Sequence, residues 1–294
     1  MNRRDFLQRS AALTVGAVVG SSIIASTLGL KSCAKVEDAK GKIIGLQLYS
    51  LREAFNEDVP GTLKKIANMG YKSLEAASYK DGKIYGYEPK EFKRMVEELG
   101  MEVTSGHAGR AYEADKEEEI MQWWDEAFDA HKAAGCKYII MPWIKPGDTL
   151  EDIKECSDYF NRVAKAAKAK GLQFGFHNHA AEFEQRDGQV IMDYFIENAV
   201  PEMKFQLDVY WANVGGVNPA DYIRKYGKKI ALLHIKDDSI IGDSGKLDFE
   251  SIFNAAYEVG IEGYYVEVEK YFPVPAEECV QKSFDFLEVA PYVK

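Results

Sequence analysis

From residue 42 onward, short runs of apolar and β-branched residues alternate with longer stretches in which apolar positions recur every three or four residues. Many of the short runs follow a glycine set where a helix would end: Gly70 before YKSLE, Gly100 before MEVT, Gly135 before CKYII, Gly171 before LQFG and Gly260 before IEGYY. Glycine tolerates the left-handed backbone that closes a helix, so each marks a helix stop and a strand start. These glycines lie 30, 35, 36 and 89 residues apart. The last gap is close to three units, and two further starts fit inside it near Pro201 and Gly227. The pattern predicts eight strands, at about 43–50, 72–78, 101–107, 137–143, 172–179, 203–210, 230–236 and 263–269, with helices between them.

Two helices are clearest. Residues 119–134 put Ile120, Trp124, Ala127 and Phe128 on one face, with His131 read as a surface residue of that helix. Residues 150–170 form the other, N-capped by Asp148 or Thr149. The strand runs YIIM, FQLD and ALLHI are apolar on both faces, as parallel strands covered by helices require. Eight βα units in about 250 residues fit an α/β fold, a single (β/α)8 TIM barrel over residues 42–294. A doubly wound sheet fits less well, because Tyr49-Ser50-Leu51-Arg52 after the first strand is not a Gly-rich phosphate turn.

The chemistry of such a barrel sits at the C-terminal ends of its strands. Four of the five histidines, His107, His177, His179 and His234, fall late in predicted strands, and Glu75, Asp208, Lys236, Glu267 and Glu269 join them. Residues two apart on a strand share a face, which pairs His177 with His179, Gln206 with Asp208, His234 with Lys236, and Glu267 with Glu269. Charged groups are seldom buried unless paired or bound to metal. Two imidazoles with two carboxylates make a mixed N/O donor set, which favours one divalent Mn, Fe, Co or Zn ion over Mg or Ca. Trp143, Trp211 and Phe183 are aromatic faces for a sugar ring, or else close the core. Glu75, His107, Trp143, Glu182 and Trp211 are the expected substrate contacts.

Charge and the N-terminus add a setting. The 294 residues carry 37 Lys and Arg against 47 Asp and Glu, a net −10, and no basic stripe, which speaks against a nucleic-acid partner. Arg3-Arg4-Asp5-Phe6-Leu7 precedes twenty uncharged residues, Ala11 to Leu30, of which eight are Gly, Ser or Thr. That order is an export signal too weakly apolar for a good anchor, and it resembles the twin-arginine (Tat) type. Leu30-Lys31-Ser32-Cys33 resembles a bacterial lipobox, which implies cleavage before Cys33 and its lipidation. The reading is a signal over 1–32, a tether over 33–41, and an exported protein that meets the membrane only through its lipid. The signal takes a net +3 with it, leaving −13. Cys136, Cys156 and Cys279 have neither metal-site nor disulfide spacing and read as buried thiols.

The segments FGFHNHAAEF, LDVYW, HIKDD and YYVEVE, in this order and at these strand positions, resemble the xylose isomerase-like barrel superfamily, in its sugar phosphate isomerase/epimerase group. The resemblance spans roughly residues 43–290. It implies a divalent ion held by His177, Asp208, His234 and Glu267. It also implies proton removal beside a carbonyl of a small carbohydrate, with isomerisation, epimerisation or β-elimination as outcomes. Epimerases of this group carry a glutamate where this chain has His177, so the paired-glutamate arrangement is incomplete. Glu267, with His179, Glu182 or Lys236 as second group, is the expected proton-transfer machinery. The missing phosphate cradle and the export signal point to a non-phosphorylated sugar or keto-sugar, and a carbohydrate-binding lipoprotein without activity is the alternative of another class.

Overall fold

The computed structural model describes residues 42–261 and 263–294; the expected signal and tether, with Cys33, lie outside the described residues. Eight parallel strands close into a barrel: β1 (Gly45–Gln47), β2 (Ser73–Ala76), β3 (Glu102–His107), β4 (Tyr138–Met141), β5 (Gln173–His177), β6 (Lys204–Asp208), β7 (Ile230–Lys236) and β8 (Gly263–Glu267). Each pairs with its sequence neighbours, and β8 closes on β1 through Gly45 opposite Tyr265 and Leu46 opposite Val266. The principal helices are α1 (Val59–Met69), α2 (Pro89–Glu97), α3 (Glu117–Ala134), α4 (Leu150–Ala169), α5 (Ile191–Glu197), α6 (Pro219–Tyr226), α7 (Phe249–Val259) and α8 (Ala276–Val289). All eight strands fall inside the predicted spans. The five marker glycines, Gly70, Gly100, Gly135, Gly171 and Gly260, have φ between 74° and 110°. None of the helices among the described residues is long and apolar enough to cross a membrane.

Six strands stop short of their predicted ends, and in three of them, β1, β5 and β6, a side chain turns the backbone. Gln47 accepts from Tyr49 N at 3.0 Å and starts a 3-10 turn where β1 was expected to continue. Asp208 accepts from Trp211 N at 2.8 Å, ending β6 and capping the short helix Val209–Val214. Glu182 accepts from His179 N at 2.7 Å, so β5 ends at His177 and His179 belongs to a turn, not to the strand. α4 begins as a capping box, with Thr149 as N-cap and Asp152 answering it.

His131 corrects the sequence reading. It is 1% exposed, and its Nδ1 donates to Ala127 O at 2.7 Å. It extends the apolar stripe of α3 by one turn beyond Ala127 and packs behind β3, where a Cβ on Gly106 would lie 2.6 Å from its Cδ2. Gly106 is glycine because the imidazole occupies that space. Burial drives the His131 pKa down to about 4.

The barrel interior is divided by height. Ile140, Leu232 and Tyr265 form a small apolar cluster of their own, apart from the core between strands and helices. Leu232 lies two residues before His234 and Tyr265 two before Glu267, so this cluster is the layer beneath the polar one. Above it Gln47, Glu75, Ser105, His177, Gln206, Asp208, His234, Lys236 and Glu267 are all buried. A barrel interior is ordinarily filled by branched apolar side chains. Here its upper half is given over to polar groups, and that marks the site.

Candidate metal centre at the barrel mouth

His177 at the end of β5, Asp208 at the end of β6, His234 on β7 and Glu267 at the end of β8 each offer one donor atom, and these atoms lie within 4.8 Å of one another. His234 Nδ1 is 3.2 Å from Glu267 Oε2. Two donors bound to one ion at about 2.0–2.2 Å stand about 3.0–3.5 Å apart, so this pair already has a suitable spacing. Asp208 Oδ2 and His177 Nδ1 are buried and have no hydrogen-bond partner among the described residues. Buried lone pairs left unmatched are costly, and on an imidazole and a carboxylate they are what a divalent cation would satisfy. The donor set therefore fits the ion.

Electrostatics agree with that fit. Burial holds His177 well below the usual histidine range, which keeps it a neutral donor. Burial pushes the Asp208 carboxyl up to about 7, against the pull of Lys236. Burial also opposes charge on His234, but the Glu267 and Glu75 carboxylates overcome it and lift His234 to about 10. Glu267 is held well below its usual value because Lys236 and His234 outweigh its burial. Lys236 Nζ stands 2.5 Å from Glu269 Oε2, 3.1 Å from Glu267 Oε2 and 3.9 Å from Asp208 Oδ2, with the Trp211 ring centroid 5.0 Å away. Without a cation on the four donors, this ammonium and the His234 imidazolium balance the buried carboxylates.

The expected site residues are only partly brought together. His179 remains beside the centre, its ring 5.0 Å from His177 and 5.7 Å from Trp211. That proximity comes from the turn, not from the strand parity that predicted it. His107 also joins, 5.4 Å from the His234 ring and nearly parallel to it. Glu75, expected to touch substrate, is 0% exposed and sits below the histidines with both oxygens already hydrogen-bonded. Glu182, expected likewise, is buried and occupied by His179 N, and burial raises its pKa. Trp143 stands 62% exposed on the loop after β4 and has no ring contact with the cluster.

Sequence reading missed Gln47, Ser105 and Asn178. Asn178 Oδ1 accepts from Asp208 N at 3.0 Å and its Nδ2 reaches Asp208 O at 3.4 Å, so it clamps the backbone of the expected ligand across two strand ends. Single neutral polar residues in apolar strands carry little signal. The one signal that could have found Asn178 is its place between two histidines.

Two crystal structures of a sugar phosphate isomerase/epimerase from Parabacteroides distasonis ATCC 8503 superpose with TM-scores of 0.82 and 0.83, at 34% and 33% identity. They cover 86% and 88% of this chain and 100% and 99% of those chains. A 3-keto-D-glucoside 4-epimerase from E. coli shares the fold, with a TM-score of 0.65 at 22% identity over 84% of this chain and 97% of that one. In sequence, an inosose dehydratase of Geobacillus kaustophilus (strain HTA426) is 25% identical over 211 residues, 62% of this chain and just under two thirds, 66%, of that protein. Residues 63–289, from α1 to the end of α8 and so including every expected ligand, match the sequence profile of one family. With the closed eight-stranded barrel, that match makes the chain a member of the xylose isomerase-like TIM barrel family.

Proposed function

We propose that the protein is a divalent-metal-dependent enzyme of the sugar isomerase/epimerase type. It would remove a proton from the carbon beside a carbonyl of a non-phosphorylated sugar or keto-sugar and return it elsewhere. The observation that carries this reading is the set of four buried donors with unmatched lone pairs on Asp208 and His177. In this reading His177, Asp208, His234 and Glu267 hold the ion, with Mn, Fe, Co or Zn preferred by the mixed donors. When bound, such an ion polarises a carbonyl and stabilises the enediolate oxygen. The remaining work falls to the chain. Lys236, fixed by Glu267 and Glu269, supplies positive charge and a proton at Nζ on the mouth side of the donors. His179, whose pKa burial lowers, is the neighbouring base. Trp211 flanks both and offers a ring face to the sugar.

Two observations favour a second reading, β-elimination from the same enediolate. The family resemblance puts His177 where paired-glutamate epimerases have a second carboxylate, and both curated relatives are named inosose dehydratase. Support for an uncharged substrate comes from the mouth itself, where the ammonium of Lys236 is already committed to carboxylates and has little left for a phosphate. The export signal and lipid on Cys33, also proposed here, would place the enzyme where sugar phosphates are scarce. Incubation of metal-loaded protein with keto-sugars and glycosides in deuterated water, read by NMR, tests the reading. Deuterium uptake without release supports isomerase or epimerase chemistry and release of a substituent supports elimination. Binding with neither outcome would leave a carbohydrate-binding protein.

A further inference from the structure

We propose that Glu75 is the positioning residue of this centre. By accepting from His234 Nε2 directly, and from Gln206 Nε2 so that Gln206 Oε1 is left to accept from His107 Nε2, it keeps a hydrogen on that nitrogen in each ring and leaves Nδ1 as the working atom, on His234 toward Glu267 and on His107 without a hydrogen bond among the described residues.

The donors and acceptors around Glu75 force this assignment. Its Oε1 lies 2.6 Å from His234 Nε2, 3.0 Å from His107 Nε2 and 2.7 Å from Gln47 Nε2; its Oε2 lies 2.6 Å from Ser105 Oγ and 2.8 Å from Gln206 Nε2. An ionised carboxylate only accepts, so His234, Gln47, Ser105 and Gln206 all donate to it and use up its roughly four lone-pair directions, while His107 Nε2 lies beside it without a hydrogen bond of its own to it. The two glutamines are oriented independently of the histidines. Gln47 Oε1 accepts from the backbone N–H of Tyr49, which fixes its amide nitrogen toward Glu75. Gln206 must likewise turn its amide nitrogen to Glu75, which leaves its Oε1 facing His107 Nε2 at 3.1 Å. His107 Nε2 therefore faces an acceptor in Gln206 Oε1, with the negative Glu75 Oε1 3.0 Å away, and must carry the hydrogen.

The other ring nitrogens follow. His234 Nδ1 faces Glu267 Oε2, within the donor set of the expected ion. His107 Nδ1 makes no hydrogen bond among the described residues, and the ring retains 9% exposure at the wall of the site. Glu75 itself has no access to substrate, since nothing of it reaches the mouth. A carboxylate behind a ligating imidazole fixes its tautomer and orientation, and losing such a partner costs roughly 10–100-fold in metal affinity. Here one carboxylate serves two rings stacked side by side.

What Nδ1 of His234 does rests on the metal-enzyme reading above; which nitrogen carries the hydrogen does not. The test is long-range 1H–15N NMR on protein labelled at histidine, with and without Zn(II), on the wild type and on Glu75→Gln. The wild type is expected to show hydrogen on Nε2 of His107 and His234 in both states, with Zn(II) shifting Nδ1 of His234. Glu75→Gln is expected to lose the single His107 tautomer and to bind Zn(II) about 10–100-fold more weakly. Hydrogen on Nδ1 alone of His107 in the wild type overturns the proposal, as does a Glu75→Gln protein with wild-type tautomers and Zn(II) affinity within twofold. If Glu75→Gln does not fold, the wild-type spectrum decides alone. Correct tautomers with no Zn(II) bound would uphold the positioning and refute the metal reading.

Discussion

Acid should weaken this fold through His131 in particular, and the size of the effect follows from its burial. The unfolded chain takes up a proton on this residue below about pH 6.5, whereas the folded chain refuses it until about 4. Protons bound only by the unfolded state favour unfolding, so the contribution is present above pH 6.5 and is lost as pH falls toward 4. Linkage over that interval gives a loss close to zero at pH 7.5, about 2 kcal/mol at pH 5 and a limit of about 3 kcal/mol below pH 4. The cause is geometric. His131 Nδ1 donates to Ala127 O, and its Nε2 is buried with no partner, so a second ring proton would have nowhere to go. The perturbation is His131→Asn, whose amide can still donate to the helix carbonyl but does not titrate. Urea unfolding of both proteins after chelator treatment, at pH 7.5 and pH 5, separates this residue from every carboxylate and histidine they share. The wild type should lose about 2 kcal/mol more than the variant across that interval. Equal losses within about 0.5 kcal/mol, or an NMR titration of His131 with a midpoint near 6.5, would refute the burial argument. The consequence reaches the site, because His131 packs behind Gly106, the residue before His107.

Asp208→Asn should stay folded yet bind a stoichiometric divalent transition metal far more weakly, as equilibrium dialysis with metal analysis would show; full retention would exclude the four-residue site. Metal binding should release protons, since His234 holds one up to about pH 10 and Asp208 up to about 7. Mn(II) affinity by calorimetry should then rise at least about tenfold per unit between pH 6 and 8, and a flat profile would contradict the assignment. Lys236→Met should lower deuterium exchange into substrate by about 10²–10⁴-fold while metal is retained; loss of metal in parallel would give Lys236 a structural role instead. Cys33→Ala should leave the exported protein soluble, and unchanged membrane association on fractionation would argue for a retained apolar anchor.

The sequence determined the frame. A helix stop followed by a strand start is a local event, and glycine's backbone freedom wrote it into the chain at Gly70, Gly100, Gly135, Gly171 and Gly260. Strand parity is equally local, so the inward run of Asp208, His234 and Glu267 could be read before any strand was paired. The tertiary structure alone decided depth. Glu75 and Asp208 look alike as carboxylates near strand ends, yet closure of the barrel puts Glu75 beneath the histidines. It meets Gln206 and His234, 131 and 159 positions away in sequence. Height inside a closed barrel depends on the stagger of all eight strands, which no single strand encodes. His131 shows the same limit on a helix: the stripe of α3 includes it, but only the space left open by Gly106 allowed an imidazole to be buried there. The strand ends at His177 and Asp208 were likewise set by side chains folding back onto backbone N–H groups. Those bonds compete with the sheet ladder only once neighbouring strands and turns are in place.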